Sequence, residues 1–222
     1  LISVERSFAA PPLSLTEKGQ TDYVITVRKD ASPPVRTAAH ELQSFLQQVT
    51  GAKLPITAET ETPADVPQIV LGPSTRFQRL LPERKLEELG HDGIVMKVVE
   101  DKLVLAGRPP RGTLYAVYTF LEDVVGCRWW TSTESHIPKR SSLKISRKLD
   151  VEYAPPLRYR AAFYADTFDG VTAARFKLNG HHHRVPPEYG GHYQFVGFAH
   201  TFFPFFPTYK VFHILKVSSA YN

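Results

Sequence analysis

One segment, residues 107–130 with the sequence GRPPRGTLYAVYTFLEDVVGCRWW, constrains the fold more than any other part of the chain. From Leu114 onward, apolar residues recur every three or four positions, which is the spacing of a helix with one apolar face. Thr113 is the expected N-cap, because the two prolines before it are excluded from a helix interior. Gly126 stands where a left-handed residue commonly ends a helix. We expect this helix to be the central packing element of a domain. Its apolar positions are Leu114, Val117, Tyr118, Leu121, Val124 and Val125.

A second helix is predicted upstream of this segment. Ser32 is its expected N-cap, and Pro33 falls in the first turn, where proline is tolerated. Gly51 is expected to end the helix. The apolar face has the helical period and consists of Val35, Ala38, Ala39, Leu42, Phe45, Leu46 and Val49.

Short β-type runs surround the two helices. Residues 93–99 and 102–106 are predicted to form a hairpin around Glu100 and Asp101. Residues 1–20 show no period and are expected to be irregular. The order of elements predicts an α/β layered domain over residues 1–153, with a four- to five-stranded sheet and two main helices. The remaining predicted strands are residues 22–28, 54–57, 68–71 and 142–146.

The composition changes after a proline-bearing linker at Pro155 and Pro156, beyond which His, Phe, Tyr, Pro and Gly are frequent. We predict a second region over residues 157–222. Residues 157–165 are expected to form a strand, and residues 170–178 a short helix.

Charge and cysteine content exclude several classes of protein. The single cysteine, Cys127, excludes an internal disulfide framework and a cysteine-based zinc site. No apolar run reaches the roughly 18 residues of a membrane span. The net charge of +5 comes from 27 basic and 22 acidic residues that are interspersed, so no nucleic-acid partner is expected.

The small residues Ala9 and Ala10 are typical of a signal-cleavage site, and we expect a secreted or periplasmic protein.

A basic stretch permits a surface that binds a nucleic acid or an anionic glycan, and it consists of Lys139, Arg140, Lys144, Arg147 and Lys148. Because Leu143 and Ile145 alternate with its charges, we interpret it instead as a strand with one solvated face.

Histidines are the most prominent chemical feature of the second region, at positions 181–183, His192 and His200. Three histidines can form an open zinc site, but consecutive ones point in different directions, so we expect no metal or other cofactor. Hydrogen bonding to a sugar and a solvated loop are the two other interpretations. The acidic residues of this region are Asp166, Asp169 and Glu188.

Residues 35–56, 69–74 and 93–130 together resemble the accessory domain that precedes the catalytic barrel in family 20 hexosaminidases and family 67 α-glucuronidases. The chain is most similar to the DUF4838 group, which includes family 163 endo-β-N-acetylglucosaminidases. The resemblance continues through residues 158–160, 174–180, 189–191 and 200–202. It departs at Phe176, where the group carries an Asn-like polar residue, and ends near Pro207.

The resemblance implies hydrolysis of glycosidic bonds in complex glycans by two carboxyl groups, with a glycan as the partner. It places the catalytic carboxylates beyond this chain, because the 66 residues after Pro156 are far fewer than the about 250 of a (β/α)₈ barrel. We therefore expect an incomplete start of a barrel, from either a truncation or a frameshift. A non-catalytic carbohydrate-binding or structural domain and a histidine-dependent metalloenzyme are the alternatives. The implied substrate-binding residues are Arg160, Asp166, Asn179, His192 and His200.

Overall fold

A computed structural model describes residues 11–195 of the chain. Its strands are β1 (Leu13–Thr16), β2 (Val24–Val27), β3 (Ile56–Ala58), β4 (Gln68–Leu71), β5 (Ile94–Val99), β6 (Lys102–Gly107), β7 (Arg128–Trp129), β8 (Ser135–His136), β9 (Leu143–Ile145) and β10 (Asp150–Tyr153). Its α-helices are α1 (Pro33–Thr50), α2 (Thr75–Leu80), α3 (Gly112–Phe120) and α4 (Gly170–Arg175). Short 3₁₀ turns lie at Leu86–Glu88, Ala165–Phe168, His181–His183 and Pro187–Tyr189.

A six-stranded mixed sheet in the order β10-β5-β6-β4-β2-β3 forms the centre of the molecule. Strands β3, β2, β4 and β6 are parallel, while β5 and β10 run antiparallel to their neighbours. The predicted α/β layered class with two main helices is confirmed. The sheet has six strands rather than four or five, because β10 is a largely exposed edge strand without an apolar period.

The predicted hairpin is confirmed, with Val99 paired to Lys102 across Glu100 and Asp101. The predicted strand at residues 142–146 also exists, as β9, but it pairs with β1 and not with the central sheet. The prediction that residues 1–20 are irregular is therefore wrong over β1. The run of four residues in β1 is too short to show a period, and its strand conformation depends on a partner about 130 positions away.

The sheet buries apolar side chains on both faces, as the period of two in each strand requires. Ile69 and Leu71 belong to the main core, whereas Val70 between them belongs to a smaller core on the opposite face. Helices α1 and α3 cover the main face. The second face is closed by Phe77 of α2 and Leu86. Helix α2 was not predicted, because six residues are too few to show a helical period.

Helix α1 has the predicted bounds and buries all seven residues of its predicted apolar face. Ser32 occupies the N-cap position in extended backbone, although its side chain donates and accepts no capping hydrogen bond. Gly51 ends the helix with a φ of 82°, a left-handed conformation that favours glycine.

Helix α3 is buried around its circumference, so the prediction of a helix with a single apolar face is wrong. It begins at Gly112, with Arg111 at the N-cap, and Thr113 is therefore not the cap. The early start follows from close packing, because Gly112 lies against Gly107 at the end of β6, where neither residue has space for a Cβ atom. A π-helical turn over Leu121–Val125 continues α3, and Gly126 ends it with a φ of 92°, as predicted.

The residues after Pro156, which we call the post-linker chain, form one compact unit with the α/β sheet up to His192. The predicted strand at residues 157–165 is wrong. The amide of Arg160 donates to Asn179 Oδ1 and that of Ala162 to His183 Nε2, so side chains replace the neighbouring strand as partners. The predicted helix at residues 170–178 is the shorter α4. The domain boundary near residue 153 stays a prediction.

Across residues 11–195, no helix combines the length and the apolar composition that crossing a membrane requires.

Candidate functional site

Arg160 and Asn179, two of the predicted substrate-binding residues, meet at a buried carboxylate. Asp92 lies just before β5, and its side chain is 1% exposed. One carboxylate oxygen accepts from Arg111 Nε at 2.8 Å. The other accepts from Arg160 Nη2 at 2.6 Å and from Asn179 Nδ2 at 3.0 Å. We name these four residues, Asp92, Arg111, Arg160 and Asn179, the Asp92 cluster.

The polar atoms of Asn179 are all engaged within the protein. Asn179 Oδ1 accepts from the Arg160 amide at 2.8 Å, and Nδ2 also donates to the Arg158 carbonyl at 3.0 Å. The Arg160 guanidinium donates in addition to the carbonyls of Lys177 and Leu157. The Asp92 cluster therefore ties the post-linker chain to the α/β domain, and the substrate-binding role of Arg160 and Asn179 stays a prediction.

Two tyrosines of α3 extend this attachment. The Tyr115 hydroxyl donates to the Leu178 carbonyl at 3.2 Å, and the Arg160 guanidinium lies 5.7 Å from the Tyr115 ring centroid. The Tyr118 hydroxyl donates to Glu41 Oε2 at 2.9 Å, and the same carboxylate pairs with Arg175 of α4. Burial raises the pKa of the Tyr115 and Tyr118 hydroxyls well above the ordinary value for tyrosine, so both hydroxyls remain hydrogen-bond donors at neutral pH.

The three consecutive histidines have different environments. His183 is fully buried, and its Nδ1 lies 2.6 Å from the Thr167 carbonyl. Because a carbonyl only accepts and Nε2 accepts from the Ala162 amide, the ring is neutral with its proton on Nδ1. Desolvation by burial lowers the pKa of His183, which agrees with this assignment. His181 and His182 line a surface groove instead.

His192 is not a member of the Asp92 cluster, although Arg111 Nη1 donates to the carbonyl of the preceding residue, Gly191, at 3.3 Å. His192 donates through Nδ1 to the Val185 carbonyl at 3.0 Å. His200 lies outside the described residues. Within residues 11–195, no three His, Cys, Asp or Glu side chains come close enough to form a metal site. Since both ring nitrogens of His183 contact the backbone, this residue is not available as a metal ligand.

Asp166 and Asp169, two acidic residues of the second region, hold the structure around them. Asp166 Oδ1 accepts from the Ser132 hydroxyl at 2.6 Å and so joins the post-linker chain to the loop between β7 and β8. Asp169 caps α4 by accepting from the Thr172 amide at 2.7 Å. The hydrogen bonds with Thr172 lower the pKa of Asp169, whereas a general acid needs a raised pKa.

An aromatic groove of about 510 Å³ opens on the surface of the post-linker chain. Its described lining consists of Phe163, Phe168, His181, His182 and Arg184. The Phe163 ring meets the Phe168 and His182 rings edge to face, with both centroid distances at 5.2 Å. Phe163 is 78% exposed, so the groove presents a large aromatic surface to solvent.

Sequence reasoning missed Asp92, Arg111, Phe163 and Arg184. Asp92 and Gly93 interrupt the run before β5, and an acidic residue directly before a buried strand was the one available signal. Phe163 and Arg184 lie 21 positions apart in loops, and no local pattern connects them.

Residues 14–120 match the sequence model described as the N-terminus of glycosyl hydrolase family 67. The chain is 24% identical over 106 residues to alpha-glucuronidase A of Emericella nidulans. It is 26% identical over 106 residues to the probable alpha-glucuronidase A of Aspergillus fumigatus. Each alignment covers 47% of this chain and 12% of the relative. The chain therefore contains a glycoside-hydrolase-type accessory domain and spans about one eighth of these relatives.

The fold is similar to that of a solved family GH115 4-O-methyl-alpha-glucuronidase with specificity for decorated arabinogalactans. The TM-score is 0.56 at 18% sequence identity, over 81% of this chain and 29% of that structure. This likeness includes residues beyond the family 67 match, because 81% of the chain exceeds the 107 positions of residues 14–120.

Proposed function

We propose that this chain is the N-terminal portion of a glycoside-hydrolase-related protein that acts on complex glycans. The observation that carries the proposal is the match of residues 14–120 to the family 67 N-terminal domain, in a chain whose fold resembles a family GH115 enzyme. Residues 1–153 form the accessory domain of this proposal, and residues 157–222 begin the catalytic half. The segments quoted above support membership of the DUF4838 group.

The accessory domain acts as a support for the residues that follow the linker. The Asp92 cluster and Tyr115 attach the post-linker chain to α3 through hydrogen bonds that are largely or wholly buried. Such an attachment fixes the orientation of the polypeptide that enters the catalytic region, and fixed orientation is what substrate positioning requires. Asp169 is occupied as a helix cap, and we assign it no catalytic role.

Binding of glycans without hydrolysis is the outcome expected for this chain. The test incubates the purified chain with aryl glycosides and N-glycans and screens it on a glycan array, with Asp166→Asn as the comparison. Glycan binding without turnover supports the proposal. Robust turnover that Asp166→Asn abolishes would show that the catalytic carboxylates are present here. Absence of any glycan binding, together with a stable fragment of residues 1–150, leaves only a structural role.

Export from the cytoplasm is part of the proposal. Ala9 and Ala10 support it as small residues of a processing site. Cell fractionation of the native host with an antibody against the chain tests this, and a signal confined to the cytoplasm contradicts it.

A further inference from the structure

We propose that the aromatic groove binds a sugar ring that carries a negatively charged substituent, with the ring on Phe163 and the charge on Arg184. This inference rests on the proposed function, and it adds a place and a ligand chemistry for glycan contact. The groove is formed by residues 163–184 and is separate from the buried Asp92 cluster.

The aromatic part of the groove suits the apolar face of a sugar. Phe163 is 78% exposed, and its edge-to-face contacts with Phe168 and His182 hold the ring without covering it. A planar ring that stays exposed provides a large contact area at a small entropic cost. The described lining contains no aliphatic side chain, which an apolar peptide helix would need for packing.

The charge of the groove selects an anionic group. Arg184 is exposed, and no carboxylate occurs among the described lining residues. A guanidinium presents donors in a fork that matches the oxygens of a carboxylate or a sulfate. Carboxylated and sulfated sugars share this chemistry, and the experiment distinguishes them.

The loop that carries Phe163 is fixed before any ligand arrives. The Thr167 hydroxyl lies 2.8 Å from both the Ala162 and the Tyr164 carbonyls, and the Thr167 carbonyl accepts from His183. On the other wall of the groove, the Arg184 backbone packs closely against Gly170. A Cβ atom on Gly170 would lie 2.4 Å from the backbone oxygen of Arg184. Preformed walls reduce the entropic cost of binding.

The experiment titrates the full chain with four soluble sugars by isothermal calorimetry and ligand-observed NMR. Methyl glucuronide is compared with methyl glucoside, and N-acetylglucosamine 6-sulfate with N-acetylglucosamine. Because hydrogen bonds to a charged group are stronger than those between neutral groups, we expect an anionic sugar to bind roughly tenfold or more tightly than its neutral counterpart. A preference for methyl glucuronide identifies the substituent as a carboxylate, and a preference for N-acetylglucosamine 6-sulfate identifies it as a sulfate.

Three variants assign the binding to the groove. Phe163→Ala should weaken binding of the preferred sugar about tenfold, whereas Tyr164→Ala should leave it unchanged, because Tyr164 is exposed in the same loop but does not line the groove. Arg184→Gln should remove the preference for the anionic sugar, and Arg184→Lys should keep most of it.

The outcomes separate this inference from the proposed function. If the glycan array shows binding but Phe163→Ala and Arg184→Gln change nothing, the groove is not the site and the proposed function stands. If the wild-type chain binds no glycan on the array or in the titrations, the proposed function itself fails. Tighter binding of adenosine monophosphate than of any sugar would show that the groove takes a nucleotide instead.

Discussion

Asp92 is a buried carboxylate whose two oxygens are shared by two arginines and an amide. Replacing it with asparagine removes the negative charge that Arg111 and Arg160 share. Loss of one partner in a buried ion pair typically costs about 3–5 kcal/mol. We expect Asp92→Asn to lower the free energy of unfolding by this amount, as measured by urea denaturation.

The control for this prediction is Asp150→Asn. Asp150 pairs with Lys97 at 2.6 Å, but the side chains are 47% and 28% exposed, so the loss should stay below about 1 kcal/mol. Equal effects of the two substitutions would show that the Asp92 cluster contributes no more than a surface ion pair.

His183 gives the fold a dependence on pH. Burial lowers the pKa of His183 in the folded state below its ordinary value of about 6.5. Between the folded-state pKa and the ordinary pKa, the unfolded chain therefore binds more protons than the folded chain. The stability from neutral His183 is therefore fully present above about pH 6.5 and is lost as the pH falls through this window. His182 and His192 oppose protonation further.

The measurement is the free energy of unfolding from pH 8 to pH 5 for wild type and His183→Gln. Glutamine donates and accepts without titrating in this range, so it can serve both the Thr167 carbonyl and the Ala162 amide. We expect the wild type to lose stability relative to the variant only below about pH 6.5. A constant difference across the range contradicts the prediction.

At the scale of elements, the start of α3 is set by contact between backbone segments. A Cβ atom on Gly112 would lie 2.6 Å from both the Gly107 carbonyl carbon and the Gly93 oxygen. Because no flexible side chain can move aside, we expect Gly112→Ala to cost about 3 kcal/mol or more. That cost corresponds to a fall in melting temperature of roughly 6–12 °C by circular dichroism.

Gly51→Ala at the end of α1 is the matched comparison. Gly51 has a φ of 82°, but no atom lies within 4 Å of a Cβ placed there. Only conformational strain of about 1–2 kcal/mol applies at this position. A larger effect at Gly51 than at Gly112 would mean that backbone conformation, not close approach, limits these junctions.

The elements that could be predicted from the sequence are those with local causes. Helix α1 has a helical period over 18 residues and a terminal glycine, and its bounds were predicted. The burial of α3 beyond its predicted apolar face has a long-range cause, because the post-linker chain also packs against it, with the Leu178 carbonyl accepting from the Tyr115 hydroxyl. The Asp92 cluster joins residues 68 and 87 positions apart, and no periodic pattern reports such contacts. Arg160 and Asn179 were both named from the sequence and do lie together, but their shared partner Asp92 was not predicted, and their substrate-binding role stays a prediction.

At the scale of the molecule, the main hydrophobic core extends across the linker. Buried Ala173, Ala174 and Val185 belong to the same core cluster as α1 and α3, and Leu178 packs against it. Removal of the post-linker chain would expose the outer side of α3 and leave the buried Asp92–Arg111 pair open to solvent. The α/β domain and the first residues of the second region are therefore expected to unfold together.

We expect a fragment of residues 1–156 to fold but to melt lower than a fragment of residues 1–192, which ends where the compact unit ends. Loss of the Arg160–Asp92 pair and of apolar contacts with α3 amounts to several kcal/mol, or roughly 10 °C. The shorter fragment should also bind an apolar dye at the uncovered face of α3. Calorimetric scans of both fragments under identical conditions measure the difference. Identical melting temperatures and no dye binding would show that the accessory domain is complete at the linker, and that the post-linker chain rests on it without stabilising it.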